Sequence, residues 1–149
     1  MKEFLNTLMI GDWVECDGVP TRVNAGMLRA LYYSDDEETP PTDIKPILMT
    51  RDMIEHNGWR LVLDFGDEDL YGKRVQEGKD NDEYIVSMYV SQNNEVCKVD
   101  VCKVVRIKGY GEYRDFVCMF KHTRVHVHTF QNLLNSLGLK ETSEEFNIM

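Results

Sequence analysis

The chain has 149 residues, 42% of them hydrophobic, with a formal net charge of -9 and a pI near 4.9. That is enough apolar material for one domain with a real core, and the acidity argues against a general binder of nucleic acid or of anionic membranes. No stretch approaches the ~20 consecutive apolar residues of a membrane span, which argues against a membrane partner.

The opening MKEFLNTLMIGDW is interrupted by Glu3, Asn6 and Thr7, and no small-residue cleavage site follows, so no export signal is expected. Ile10 to Val23 reads as a hairpin turning at Asp17-Gly18. That turn pairs Cys16 with Val19, Val14 with Thr21 and Asp12 with Val23, and sets Trp13 across from Arg22. Pro20 lacks a ladder donor, which places its strand at an edge. Asn24 to Tyr33 fits a short helix capped by Asn24, or a strand. The run SDDEETPPTD from Ser34 to Asp43 is a solvated acidic loop, extending to about residue 45.

Pro46 to Trp59 predicts a helix with Thr50 at its start and Asn57-Gly58 at its end. Trp59, Leu61, Leu63 and Phe65 alternate and are expected on one strand face. The polar stretch from about 66 to 83, with Gly72 and Gly78, is expected to be loop. A meander follows: Tyr84–Val90, then Val96–Ile107 with Cys97, Val99, Val101, Val105 and Ile107 inward, then Tyr113–Lys121 with Phe116, Cys118 and Phe120 inward. In Arg124–Leu139, Val127, Phe130, Leu133, Leu134 and Leu137 recur at helical spacing, with Gln131, Asn132 and Asn135 as the polar face. Gly138 stops this helix and Leu139 folds back on Leu134. Residues from about 140 to 149 are expected to form a tail. The predicted architecture is α+β: one domain over 1–149, an N-terminal hairpin, a mostly antiparallel sheet, two or three short helices, and the C-terminal helix covering the sheet.

Three segments together resemble a family. They are Ile10-Gly11-Asp12-Trp13-Val14, then Pro46-Ile47-Leu48-Met49-Thr50 running into Ile54–Trp59, then Val127–Leu133 with Gly138. They are similar to a group of small uncharacterised proteins from gut anaerobic bacteria and their phages. Leu48-Met49 stands where that group usually has Pro-Leu, and Phe130 where it has Leu. The resemblance implies this order of elements and an origin in phage or mobile elements. It supplies no catalytic residue.

His122, His126 and His128 are the metal candidates. On a strand, His126 and His128 would sit about 6.6 Å apart on one side, whereas on a helix His122 and His126 would share a face. No acidic or thiol ligand completes either set, so a surface histidine row without metal is the expectation. Asp64-Phe65-Gly66 lacks every other kinase element, and Asp80–Glu83 lacks calcium-loop spacing. Cys16, Cys97, Cys102 and Cys118 form no C-x-x-C pair and read as reduced, packed thiols in a cytoplasmic protein. No cofactor fingerprint occurs.

Lys98 to Arg124 carries seven Lys or Arg against three Asp or Glu, so it is locally +4 and the remainder -13. With Tyr110, Tyr113 and Phe116 it could form a weak single-strand nucleic-acid face; the simpler account is the outer face of a sheet. Trp13 with Arg22 is either a binding patch or a cross-strand cation–π pair. The expectation is a non-catalytic accessory or protein-interaction domain, monomeric or weakly oligomeric, with Trp13, Arg22, Tyr110 and Tyr113 as interaction candidates.

Overall fold

In the computed structural model, which describes residues 2–32, 43–77, 80–121 and 124–148, α1 (Lys2–Asn6) leads into the predicted hairpin of β1 (Trp13–Cys16) and β2 (Val19–Arg22). Asp17 and Gly18 have φ of 49° and 84°, as a two-residue turn matching strand twist requires. The register pairs Trp13 with Arg22, Val14 with Thr21 and Cys16 with Val19. α2 (Ala25–Tyr32) resolves the ambiguous segment as helix, and Asn24 Oδ1 accepts the Met27 N–H at 2.8 Å. β3 (Ile44–Pro46) pairs with β1, so β2, carrying Pro20, is an edge. Most of the predicted acidic loop lies outside the described residues, but Ile44 and Lys45 belong to a strand. Leu8, Val14, Val23 and Ile44 make a small core with Phe4, Leu5, Leu28 and Leu31.

After α3 (Arg51–His56), five strands form an antiparallel meander in sequence order. They are β4 (Arg60–Asp64), β5 (Glu68–Glu77), β6 (Asp82–Ser91), β7 (Val96–Ile107) and β8 (Gly111–Lys121). The expectation of a loop over residues 66–83 is corrected by β5. Its ten residues pair in unbroken register with β6. Tyr71 and Val75 point to the core, while Arg74 on the other face bonds Glu83 and Glu112. Cross-strand partners thus carry a segment whose composition alone reads as loop.

The tail is corrected too. α4 (Val127–Ser136) is followed by α5 (Lys140–Glu145) and a buried Phe146. The stop of α4 is as expected: Gly138 has φ of 80°, and the Leu139 N–H donates to Leu134 O at 2.8 Å. At the start of α4 His126 is at the cap and makes an antiparallel bridge with Leu48.

The main core lies between one face of the meander and α3, α4 and α5. Met49, Ile54, Trp59, Val86, Met88, Val99, Val101, Phe130, Leu134 and Phe146 are all buried in it. Trp59, Phe130 and Phe146 meet edge to face with centroids 5.4–6.0 Å apart.

Candidate interaction surface

Two β-bulges decide which apolar side chains leave the core. On β8, Val101 opposes Cys118 but Cys102 opposes Phe116, so Val117 is an extra residue. Side chains alternate with period two, and one inserted residue moves everything before it to the other face. Cys118 and Phe120 therefore pack against the core, while Phe116 turns out to solvent with 61% exposure. The expectation of Phe116 in the core is corrected on this ground. On β4, Leu61 opposes Tyr71 and Leu63 opposes Leu70, so Val62 is the extra residue. Trp59 is buried, but Leu61, Leu63 and Phe65 are exposed, which corrects their assignment to one buried face. Cys97 is likewise displaced by an irregularity between Tyr89 and Val90.

The result is concentrated. Among the described residues, ten of the thirteen large apolar side chains left exposed lie on β4, β8 or the ends and turns beside them. Both are outer strands with one unpaired edge. Tyr110, at the β7–β8 turn, is 88% exposed, and Tyr113 is exposed on β8. On the open face between these edges, Phe65 stacks on Tyr89 at 6.4 Å, and Lys98 Nζ lies 4.5 Å from the Tyr89 ring centre.

Part of the basic segment is neutralised where it stands, through Lys103, Arg106 and Arg124. Arg74 is bonded to Glu83 at 2.7 Å and Glu112 at 2.8 Å. Arg106 reaches the same two carboxylates at 2.7 and 3.5 Å. These contacts hold both carboxyls below the usual range, Arg74 being the main cause for each. Lys103 meets Asp82 at 3.2 Å and Arg124 meets Glu95 at 3.5 Å.

Trp13 and Arg22 form the expected cation–π pair, 4.8 Å from guanidinium carbon to ring centre. Trp13 offers little surface: it is 7% exposed, and its indole N–H donates to Phe146 O at 3.0 Å. Arg22 donates to Glu144 O at 2.9 Å. The pair ties the N-terminal hairpin to α5. Gln131, expected on the polar face of α4, is 1% exposed. Its Oε1 accepts the Trp13 backbone N–H at 2.9 Å, and its Nε2 donates to Gly11 O and Ser143 O. Helical periodicity cannot tell a polar face from a buried polar tie, and no sequence signal marked it.

His128 is buried at the start of α4, and His126 stacks near it with ring centroids 6.0 Å apart. Burial first, and His126 second, push the His128 pKa down to about 4, so it is neutral at pH 7. His128 Nδ1 and Asn132 Oδ1 are sealed from solvent without a partner among the described residues. Both residues line a cavity of about 590 Å³ with Phe4 and Pro46. His122 lies outside the described residues. Among the described residues no group of three or more His, Cys, Asp or Glu could hold a metal. A cavity of about 870 Å³ is lined by Met9–Asp12 and Arg22 on one side and by residues of α4 and α5 on the other. Burial raises the buried Asp12 carboxyl to about 6, against the Met9 N–H that it accepts at 2.8 Å. The four cysteines are free and half-buried, and burial raises each thiol, which keeps them poor nucleophiles.

No described helix is long and apolar enough to cross a membrane. No protein family, curated protein or solved structure matches the chain.

Proposed function

We propose that this chain is a non-catalytic accessory domain whose work is to bind another protein through the outer strands of its five-stranded sheet. The observation that carries the reading is the gathering of exposed apolar side chains on β4 and β8. Large apolar side chains left exposed along an outer strand, whose unpaired edge is a template for another chain, mark a place where a partner can attach. The chemistry elsewhere supports it: thiols raised by burial, and carboxylates engaged by arginines. The resemblance to phage and gut-bacterial proteins adds an origin in mobile elements, and four free cysteines fit a reducing compartment such as the cytoplasm. The test is a pull-down from the source organism with wild type and with a Phe116→Glu, Met119→Glu double variant, whose side chains lie outside the core. A defined partner lost only with the variant supports the reading. No partner, with turnover found in a metabolite screen, overturns it.

The second reading is a weak nucleic-acid face over residues 98–124. Tyr110, Tyr113 and Phe116 favour it, being exposed in a segment that also carries Lys108, Arg114 and Lys121. The ion pairs of Arg106, Lys103 and Arg124 count against it, because they leave few cations for phosphates. Two or three phosphate contacts would give a slope of only about 2–3 in log affinity against log salt.

A further inference from the structure

β8 is the longer of the two open edges, eleven residues against five. β4 is short, is broken by its bulge at Val62, and has Arg60 and Asp64 at its ends, all features that blunt an edge. β8 carries Glu112, Arg114, Asp115 and Lys121, a net charge of zero in a chain of -9. It is thus an apolar, neutral strip on a molecule that otherwise repels its own kind.

The bulge gives this strip a further property. A symmetric antiparallel pairing of two identical edges needs a two-fold axis normal to the sheet, which keeps each side chain on its own face. Opposed residues must therefore share a face. Tyr113 opposes Val105, and Phe120 opposes Val99, so both lie on the core side of the sheet. Glu112 opposes Arg106, and Lys121 opposes Lys98, so both lie on the open side. Without the extra residue at Val117, Glu112 and Lys121 would point to opposite faces, as would Tyr113 and Phe120. With it, the full-length register sets Glu112 against Lys121 and Tyr113 against Phe120, twice each, with the bulge at the centre. Lys98 is the residue of β7 across from Lys121, and among the described residues Arg114, Asp115 and Lys121 form no ion pair.

We propose that the partner of β8 is a second copy of this chain, joined edge to edge in this register into a continuous ten-stranded sheet. The proposal rests on the protein-interaction reading and names its partner.

The test is sedimentation equilibrium on the full chain from about 1 to 500 µM, spanning a weak to moderate dimer. Wild type is expected to dimerise. Lys121→Glu turns two attractive pairs into repulsions and should weaken the dimer roughly ten-fold or more. Adding Glu112→Lys in the same chain re-forms the pairs with their signs reversed, at the loss of the Glu112 contacts to Arg74 and Arg106, and should recover part of the lost dimerisation, with thermal melts checking that each variant folds. The register has its own readout. Asp115→Cys faces the partner subunit's Cys118, and directly opposed residues sit within disulfide reach, so oxidation should give a covalent dimer. A wild type that stays monomeric over the whole range, or a dimer indifferent to Lys121→Glu, overturns the proposal. If that monomer still captures a foreign protein through Phe116 and Met119, the dimer falls and the interaction reading stands.

Discussion

Two buried titratable groups pull against each other. Asp12 has its carboxyl raised from 3.8 to about 6. The folded state then binds the proton more tightly than the unfolded state, so its contribution is fully present below about pH 3.8 and is lost as pH rises through 6. His128 is lowered from 6.5 to about 4. It contributes stability above about pH 6.5 that is lost as pH falls toward 4. Between pH 4 and 6 the two slopes oppose. Asp12→Asn should therefore leave a protein that weakens on acidification more steeply than wild type. His128→Gln should leave one that weakens less steeply, or gains. Urea titrations at pH 4, 5, 6 and 7 read both, and parallel curves for both variants and wild type would refute the opposition. Gln131 belongs to the same scale. Gln131→Ala strands the buried Trp13 N–H and should cost ~1–3 kcal/mol or more, as unsatisfied buried groups do. Leu134→Ala should cost ~2–5 kcal/mol. Equal stability of Gln131→Ala and wild type would show the tie to be dispensable.

At the scale of elements, α5 holds through a partner far away in sequence. The Glu77 carboxylate, at the end of β5, accepts the backbone N–H groups of Glu141 and Thr142 and the Thr142 hydroxyl at 2.7 Å. This satisfies donors that a helix start leaves orphaned, and puts negative charge at its positive end. The helix has six residues and cannot stand alone in water. Glu77→Ala should cost ~1–2 kcal/mol, by analogy with lost N-caps, and should speed amide exchange across 140–145 before the rest of the chain. Exchange unchanged there would show that Leu139 and Phe146 suffice as anchors. The same geometry explains what was legible in the sequence. The Asp17-Gly18 hairpin, the stop at Gly138 and the meander are local patterns, and each was readable. β5, α5 and the bulges at Val62 and Val117 depend on cross-strand and long-range partners that no local pattern encodes. Exposure of Tyr110 follows from its place in the short β7–β8 connection, whereas exposure of Phe116 follows from a bulge that no local pattern encodes.

The whole molecule has two cores, joined by Trp13, which packs in the main one, and by a set of polar ties. Trp13, Arg22 and Gln131 carry the bonds between the N-terminal sheet and the C-terminal helices. Loosening these ties should act on both cores together, which the Gln131→Ala melt can read as one transition or two. The charge of -9 acts at this scale too, keeping copies apart except where β8 is neutral.

The Trp13 bonds span 118 and 133 residues of chain. On a ribosome adding roughly 5–20 residues per second, the hairpin is made some ~7–27 s before Phe146. Throughout that interval the indole lacks this acceptor, and the hairpin is covered only by the small core it shares with α1, α2 and β3. A hairpin made early is thus tied down late, and Trp13 reaches its full set of bonds only once α4, α5 and Phe146 have followed it.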